Sequence, residues 1–232
     1  MVKRLIILMA AVFVVTNVIG ALPSETTRLY LQIYPSVYLG LVPWLVIHQF
    51  YAWQLVTYLF IHGGWFHILF NLYALWIFGS DLESTWGSKR FFTYFFLTGM
   101  GAGLFCVLLQ PSSKTPTTGC SGAIFGLILA CGMLFPERII YFNMIIPMKM
   151  KWFAVIMGLI EFVASYSDAG SGISHFAHLG GMLFGFLYLR GWSLPYRWQL
   201  QYHEWRRAQL RKKFEVYMRD QEKKDKHGRW VN

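Results

Sequence analysis

The chain has 232 residues, of which 56% are hydrophobic, 19% aromatic and only 14% charged, and its formal net charge is +10. Soluble chains carry about 25% charged residues, so a soluble globular domain is excluded. A disordered chain is excluded because such chains have few aromatic residues. Three cysteines are too few, and odd in number, for a disulfide framework. The composition therefore indicates a membrane protein.

Six apolar runs are long enough to cross a hydrocarbon core, which takes about 20 helical residues. They predict an all-α polytopic membrane protein with a bundle of six transmembrane helices, at residues 5–22, 64–82, 91–110, 120–136, 151–167 and 174–191. The first run could instead be a secretory signal peptide, because Lys3 and Arg4 precede it and Ala21 offers a cleavage position. Residues 23–62 contain three prolines and many Trp and Tyr, so we expect a long first loop lying in the membrane interface.

Most of the positive charge lies at the C-terminal end. Residues 190–232 hold 12 Lys and Arg against 5 Asp and Glu, a surplus of +7. The positive-inside rule makes this tail cytoplasmic, and six spans put both ends on that side of a plasma or inner membrane. We therefore predict a six-helix membrane domain, 1–192, and a basic cytoplasmic tail, 193–232. Nucleic acid is not expected as a partner; residues 205–217 predict a helix that either lies on anionic lipid or is solvated.

Four polar residues fall inside the apolar spans, where polar groups are costly and so are candidates for function. His67 and Asn71 are four residues apart and share one face of the second helix. Ser121 begins the fourth span, and His178 lies near the start of the sixth. The predicted topology puts all four at one depth, toward the outer face. Taken singly, the serine could bond to its own backbone, and each histidine could simply link two helices.

Glycines on the fourth and sixth helices favour the functional interpretation. They have the four-residue spacing that lets two helices touch, in the pairs Gly122/Gly126 and Gly181/Gly185. Close contact would bring a short side chain on the fourth helix to the histidine of the sixth. We therefore expect Ser121 and His178 to meet as nucleophile and base, with Phe125, one turn after the serine, stacked on the histidine ring.

A serine nucleophile also requires donors that hold the developing oxyanion. The unpaired N–H groups at the start of the fourth helix, the amide of Asn71 and the ring of His67 are the candidates. Glu161 is the one carboxylate deep within a predicted span, and it lies on another helix. The sequence therefore predicts a catalytic pair without a third member, and Glu161 is assigned no catalytic role.

Other chemistries fit the sequence less well. The histidine pairs His62/His67 and His175/His178 would suggest a metal-dependent enzyme, but no His-Glu-x-x-His motif occurs and the expected carboxylate ligand is missing. We therefore expect His62 and His175 to be hydrogen-bonding or boundary residues. A transporter would show inverted repeats or paired discontinuous helices, and neither is detectable. Cys120 precedes Ser121, but neighbours on a helix point about 100° apart, so only one of them can face His178. We expect the cysteines to be small packing residues.

These residues, in this order, resemble the rhomboid family of intramembrane serine proteases. The resemblance covers residues 5–191, and Trp53 followed by Gln54, where the family often has Trp-Arg, is one departure from it. The matching residues are His62, His67, Asn71, Gly119, Ser121, Gly122, Ala123, Ala177, His178, Gly180 and Gly181, together with Trp53, Thr57, Phe60, Glu83, Trp86 and Gly87.

The resemblance implies a six-helix core with Ser121 and His178 as the catalytic dyad and no metal or cofactor. It implies that His67 and Asn71 contribute to the oxyanion site, and that Glu83 supports the first loop by hydrogen bonds. Supporting positions around the dyad would be Gly119, Gly122, Phe125 and Gly181. The family cleaves transmembrane protein substrates near one membrane face. The alternative is a catalytically silent rhomboid-like protein that binds transmembrane clients.

Overall fold

The computed structural model describes residues 1–18, 34–142, 145–167 and 175–191. Within these ranges the chain is mainly helical. Met1–Tyr188 forms one compact unit and Leu189–Asn232 a second, of which only residues 189–191 are described. The predicted tail, 193–232, and the predicted tail helix at 205–217 lie outside the described residues.

The first part of the chain contains one long helix and several short ones. Helix α1 spans Val2–Phe13 and continues as a π-helical turn, Val14–Val18. The predicted first loop contains α2 (Tyr34–Tyr38), α3 (Pro43–His48) and α4 (Gln54–Thr57), the last followed by a 3₁₀ turn, Tyr58–Phe60. The first loop, predicted to lie in the membrane interface, thus contains short helices over residues 34–60 that the sequence did not predict, and Pro43 opens one of them, as proline at the first position favours.

The later helices overlap the other predicted spans. Helix α5 (Trp65–Ala74) passes through a π-helical turn, Leu75–Gly79, into α6 (Ser80–Trp86). Gly87, with a φ of +80°, separates α6 from α7 (Ser88–Leu109). Helix α8 spans Ser121–Leu134, α9 spans Met150–Ser167, and α10 spans 175–191.

A small antiparallel hairpin that the sequence analysis did not predict precedes α9. Strand β1 (Ile139–Phe142) pairs with β2 (Ile146–Lys149), and Ile139 lies opposite Lys149. Ion pairs surround the hairpin. Glu137 binds Lys149 and Lys151, and Arg138 binds Asp81 of α6. The hydrogen bonds from Lys149 and Lys151 lower the pKa of Glu137 to about 2.

Among the described residues, one helix is both long and apolar enough to cross a membrane by itself, and this is α7. The segments Gln54–Phe60 and Trp65–Trp86 pass the same test together but are bent by 98° relative to each other. Helix α8 is apolar and shorter. The structure thus agrees with a helical membrane protein, and six crossings stay a prediction.

Close contact between α8 and α10 is confirmed. A Cβ atom built on Gly181 would lie 1.8 Å from the backbone oxygen of Gly122. A Cβ on Gly122 would lie 3.1 Å from the backbone oxygen of Ala177. A Cβ on Gly185 would lie 3.4 Å from Cα of Gly126. The two helices therefore touch along their backbones, as the glycine spacing predicts.

Gln54 anchors the first loop from inside, and its side chain is fully buried. Its Oε1 atom accepts the backbone N–H of Val42 at 2.9 Å. Its Nε2 atom donates to the backbone oxygens of Val37 at 2.9 Å and Tyr38 at 3.2 Å. The amide thus satisfies three backbone groups of the loop. Because it must both accept and donate hydrogen bonds, a neutral amide suits this position.

The loop is also joined to the segment that leads into α8. Leu41 and Thr117 exchange two backbone hydrogen bonds of 2.8 Å. The backbone N–H of Gly119 donates to the backbone oxygen of Tyr58 at 2.9 Å. Main-chain hydrogen bonds of the first loop therefore hold the approach to Ser121.

Glu83 makes its described hydrogen bonds at the starts of two helices. Its carboxylate accepts the backbone N–H of Val2 at 2.9 Å, and it also binds the Met1 amino group and the Ser88 hydroxyl. In the described part of the chain these partners lie at the starts of α1 and α7. Support of the first loop by Glu83 stays a prediction, since its hydrogen bonds in the described residues are made to the starts of α1 and α7.

Candidate active site

Ser121 and His178 lie in contact where α8 and α10 begin. The Ser121 Oγ atom is 2.7 Å from Nε2 of His178, which is hydrogen-bonding distance. Ser121 is the first residue of α8, and His178 is in the first turn of α10. His178 is only 8% exposed, whereas Ser121 is half-buried. A hydroxyl and an imidazole in this arrangement can act as nucleophile and general base.

Phe125 holds the ring of His178 from one side. The two ring centroids are 4.3 Å apart, and the planes differ by 11°, so the rings are stacked. Phe125 lies one turn after Ser121 on α8, so the same helix supplies the hydroxyl and the flat surface beside the imidazole. The predicted stacking is present, and it restricts rotation of the ring.

Gly119 makes room for the second pair of polar residues. A Cβ atom at this position would lie 2.5 Å from Nε2 of His67 and 3.3 Å from Nδ2 of Asn71. The backbone of Gly119 also has a φ of +103°, a conformation that side chains disfavour. Both observations require glycine at position 119. The side chains of His67 and Asn71 therefore lie next to Gly119, two residues before Ser121.

The amide of Asn71 has an unused donor. Asn71 is 6% exposed, and its Nδ2 atom has no hydrogen-bond partner among the residues that the structure describes. A buried amide without a partner costs free energy, and such a group in a functional site calls for an explanation. A negative oxygen formed beside Gly119 and Ser121 would accept this N–H.

Cys120 faces away from His178. Its Sγ atom lies 3.8 Å from Nε2 of His62, and both residues are buried. His62 in turn lies edge-on to His67, with the ring centroids 5.2 Å apart. Burial, and to a smaller extent the nearby His67, lower the pKa of His62 to about 4, so His62 is neutral at pH 7. The prediction that Cys120 and Ser121 point in different directions is confirmed.

A carboxylate lies on the other side of His178. One oxygen of Glu161, on α9, is 2.9 Å from Nδ1 of His178 and 2.6 Å from Nδ1 of His175. Glu161 is 7% exposed. The expectation that a carboxylate is missing from this region is therefore wrong, because α9 packs beside α10 with Glu161 directed at the two histidines.

The three side chains form a group that could hold a metal ion, but their spacing favours direct contact. Ligand atoms around a tetrahedral zinc ion, at bond lengths near 2.0–2.1 Å, lie about 3.3 Å apart. The two nitrogens lie closer than that to the Glu161 oxygen. The distances fit a carboxylate that binds two imidazoles, as in a hydrogen-bonded or ion-paired cluster.

A family model for the rhomboid domain matches residues 49–194. The chain belongs to the rhomboid family. The matched range is more than half of the sequence and includes every polar residue of the site. Membership in this family makes the chain a membrane-embedded protein.

Curated relatives carry rhomboid names in several organisms. The chain is 34% identical to "Rhomboid-like protease 5" of Toxoplasma gondii, over 61% of this chain and 16% of the relative. It is 33% identical to "RHOMBOID-like protein 1" of Arabidopsis thaliana, over 62% and 35%. It is 30% identical to "Rhomboid protein 1, mitochondrial" of Saccharomyces cerevisiae, over 58% and 40%. The chain thus spans less than two thirds of the length of each of these relatives.

Glu161 lies at this rhomboid site although the sequence assigned it no catalytic role. Its signal was present, since a lone carboxylate in an apolar span must have a partner and His175 and His178 are three residues apart. The rhomboid motifs inside the predicted spans lie on α5, α8 and α10, and none of them is on α9. The direction in which Glu161 points depends on the rotation of α9, which the sequence pattern did not define.

Proposed function

We propose that this chain is an intramembrane serine endopeptidase in which Ser121 is the nucleophile and His178 the general base. The contact of 2.7 Å between Ser121 Oγ and His178 Nε2 is the observation on which the proposal mainly rests. Stacking of Phe125 on the imidazole and the family membership support it. The proposed reaction uses no metal or cofactor.

In the proposed first step, Ser121 Oγ bonds to the carbonyl carbon of the substrate and His178 Nε2 takes its proton. The carbonyl π electrons move to the oxygen. Collapse of this intermediate breaks the C–N bond, and the imidazolium gives its proton to the leaving amine. Water then attacks the acyl-enzyme through the same base, which releases the acid and restores the serine.

Asn71 and His67 are the proposed donors to the oxyanion, together with the backbone N–H groups where α8 begins. The unpartnered Asn71 amide and the close approach of His67 to Gly119 support this assignment. Donors that are already fixed in place stabilise the transition state without reorganisation.

We infer that the substrates are transmembrane proteins with small or helix-breaking residues near the outer membrane face. Every backbone group of a transmembrane helix is hydrogen-bonded within the helix. A scissile carbonyl is therefore out of reach until its segment unwinds. Unwinding costs less close to water and at residues with low helix propensity.

The proposed topology has six crossings, with both ends of the chain cytoplasmic, in a plasma or inner membrane, and a basic tail that follows residue 192. Contact of the tail with anionic lipid belongs to the same proposal. Arg138 and Asp81 form an ion pair, which supports the topology because the topology places both residues on the cytoplasmic side of the membrane. A single cysteine placed in the tail should react with a membrane-impermeant reagent only after the membrane is opened; labelling of sealed cells would contradict the topology.

Purified protein in detergent or liposomes, with a single-span model substrate, tests the activity. We expect cleavage by the parent protein, and loss of cleavage in Ser121→Ala and His178→Ala with folding retained. Excess chelator should leave the parent rate unchanged. Full activity in either variant would contradict the dyad. Binding of the substrate without cleavage by the parent protein would instead indicate the silent rhomboid-like alternative.

A further inference from the structure

Glu161 is a buried carboxylate that the proposed dyad does not use. It lies within α9 and is 7% exposed. A carboxylate in an apolar setting is costly unless it is paired and hydrogen-bonded. Its contacts with His175 and His178 offset this cost. Their geometry indicates what the carboxylate does.

We propose that Glu161 is a positioning residue for the base, so that Ser121, His178 and Glu161 work as a triad; this inference rests on the proposed function. The two ring nitrogens of His178 have different partners. Nε2 is 2.7 Å from the hydroxyl of Ser121, and Nδ1 is 2.9 Å from Oε2 of Glu161. The imidazole thus lies between the nucleophile and the carboxylate.

The carboxylate selects the tautomer of His178. An ionised carboxylate only accepts hydrogen bonds, so a bare lone pair on Nδ1 at this distance would be repelled. The proton is therefore on Nδ1, and the lone pair on Nε2 faces Ser121, as a general base requires. The contact with Nδ1 has the length of an ion pair, while its angle is not that of a hydrogen bond, so the attraction is mainly electrostatic.

The carboxylate of Glu161 also stabilises His178 in its protonated, positively charged form. When Nε2 takes the proton of Ser121, His178 becomes an imidazolium with Glu161 beside it. Opposite charges at this distance attract more strongly in a poorly solvated site than in water. Glu161 keeps its own charge throughout, and the proton goes from Ser121 to His178 and on to the leaving amine.

His175 fixes the orientation of the carboxylate. Its Nδ1 atom is 2.6 Å from Oε2 of Glu161, within a hydrogen bond. His175 lies one turn before His178 on α10, so one helix contacts the carboxylate at two positions. Oε2 is held between the two rings.

Gly158 lies on the face of α9 that packs against α10. A Cβ atom on Gly158 would lie 3.2 Å from Cε of Met182 on α10. Gly158 lies one turn before Glu161, on the same face of α9. Met182 is one turn after His178, so this contact agrees with the face of α9 that carries Glu161 lying against α10.

The test compares Glu161→Gln, which keeps the shape and removes the charge, with Glu161→Asp, which keeps the charge. Ser165→Ala, on the same helix, is the control, because Ser165 is only half-buried and in the described contacts its hydroxyl bonds to the backbone oxygen of Phe162 in its own turn. Each variant is titrated with a fluorophosphonate, so that rates are expressed per active serine. Unfolding temperature in detergent is measured alongside.

We expect kcat of Glu161→Gln to fall by at least about 10-fold and at most about 10⁴-fold, the loss seen when the carboxylate of a Ser-His-Asp triad becomes an amide, with KM within about twofold. The initial rate at which the fluorophosphonate labels Ser121 should fall in parallel. Glu161→Asp should recover part of the loss, and Ser165→Ala should match the parent. A loss explained by stability alone would not separate kcat from KM or distinguish Gln from Asp.

An active parent protein with an unchanged kcat in Glu161→Gln would overturn the inference and leave the dyad intact. Inhibition of the parent by a chelator, relieved by added zinc, would also overturn it in favour of a metal site. An inactive parent protein, by contrast, would contradict the proposed function itself.

Discussion

Gly181 lies so close to Gly122 that a Cβ atom on it would be 1.8 Å from the backbone oxygen of Gly122. No real side chain fits that distance, and the neighbouring atom is backbone, which cannot swing aside. The contact lies between the helices that carry Ser121 and His178. The spacing of the dyad therefore depends on the absence of one methyl group.

Gly181→Ala is expected to separate the two helices. Overpacking of this kind costs about 1–3 kcal/mol of stability, and a displacement of about 1 Å at reacting groups can cost on the order of 100-fold in rate. Unfolding temperature and cleavage of a model substrate measure the two effects. Gly63→Ala is the control, because a Cβ there would meet nothing within 4 Å. Parent-like activity in Gly181→Ala would show that the helices tolerate separation.

Cys120→Ala should retain the activity of the parent protein. Its Sγ atom is directed at His62 and does not contact the dyad in the described structure. Removal of a buried sulfur leaves a small cavity, so a modest loss of stability, about 1 kcal/mol, is expected. Fluorophosphonate labelling of Cys120→Ala and Ser121→Ala compares the two neighbours directly. Labelling that persists in Ser121→Ala and disappears in Cys120→Ala would make the thiol the nucleophile.

Asn71→Ala should lower kcat with little effect on KM. Loss of one donor to an oxyanion typically costs about 100–1,000-fold in kcat, because the donor acts on charge that develops only in the transition state. The change in stability should be small, about 1 kcal/mol, because loss of the unpartnered Nδ2 group offsets part of the cost of the cavity that the truncation leaves. Steady-state kinetics and thermal unfolding measure both. A large loss of stability would indicate that Asn71 is a structural residue.

Gln54→Leu should destabilise the protein by leaving backbone groups of the first loop without partners. Each buried group without a hydrogen bond costs about 1–3 kcal/mol, and Gln54 satisfies three of them. Gln49→Leu is the matched control, because Gln49 is exposed. Thermal unfolding of the two variants in the same detergent gives the comparison. Equal unfolding temperatures would mean that the loop is held by its other contacts.

The parts of the site that follow helical periodicity were predictable from the sequence. The four-residue spacing of the glycines on α8 and α10 predicted that these helices touch, and Phe125, one turn after Ser121, was expected on the ring of His178. Each of these predictions uses residues that are four positions apart on one continuous helix and therefore lie on the same face. Such relationships need no knowledge of how the remaining helices pack.

The contacts that depend on packing between distant elements were not predictable in this way. Glu161 reaches His178 because the rotation of α9 about its axis directs the carboxylate toward α10. Glu83 binds residues at the start of α1, more than 80 positions away, although it was expected at the first loop. The π-helical turn at Leu75–Gly79 also changes which residues of the following helix face the core. Its sequence contains no proline from which the turn could be predicted.

The hydrogen bonds that join Leu41 to Thr117 and Tyr58 to Gly119 have a consequence for protein engineering. Residues 34–62 and the segment before Ser121 complete each other's main-chain hydrogen bonding, as two strands of a sheet do. A chimaera that takes the first loop from another rhomboid would therefore need to take residues 110–119 from the same parent. Transplanted alone, the loop would leave the approach to the nucleophile without its backbone partners.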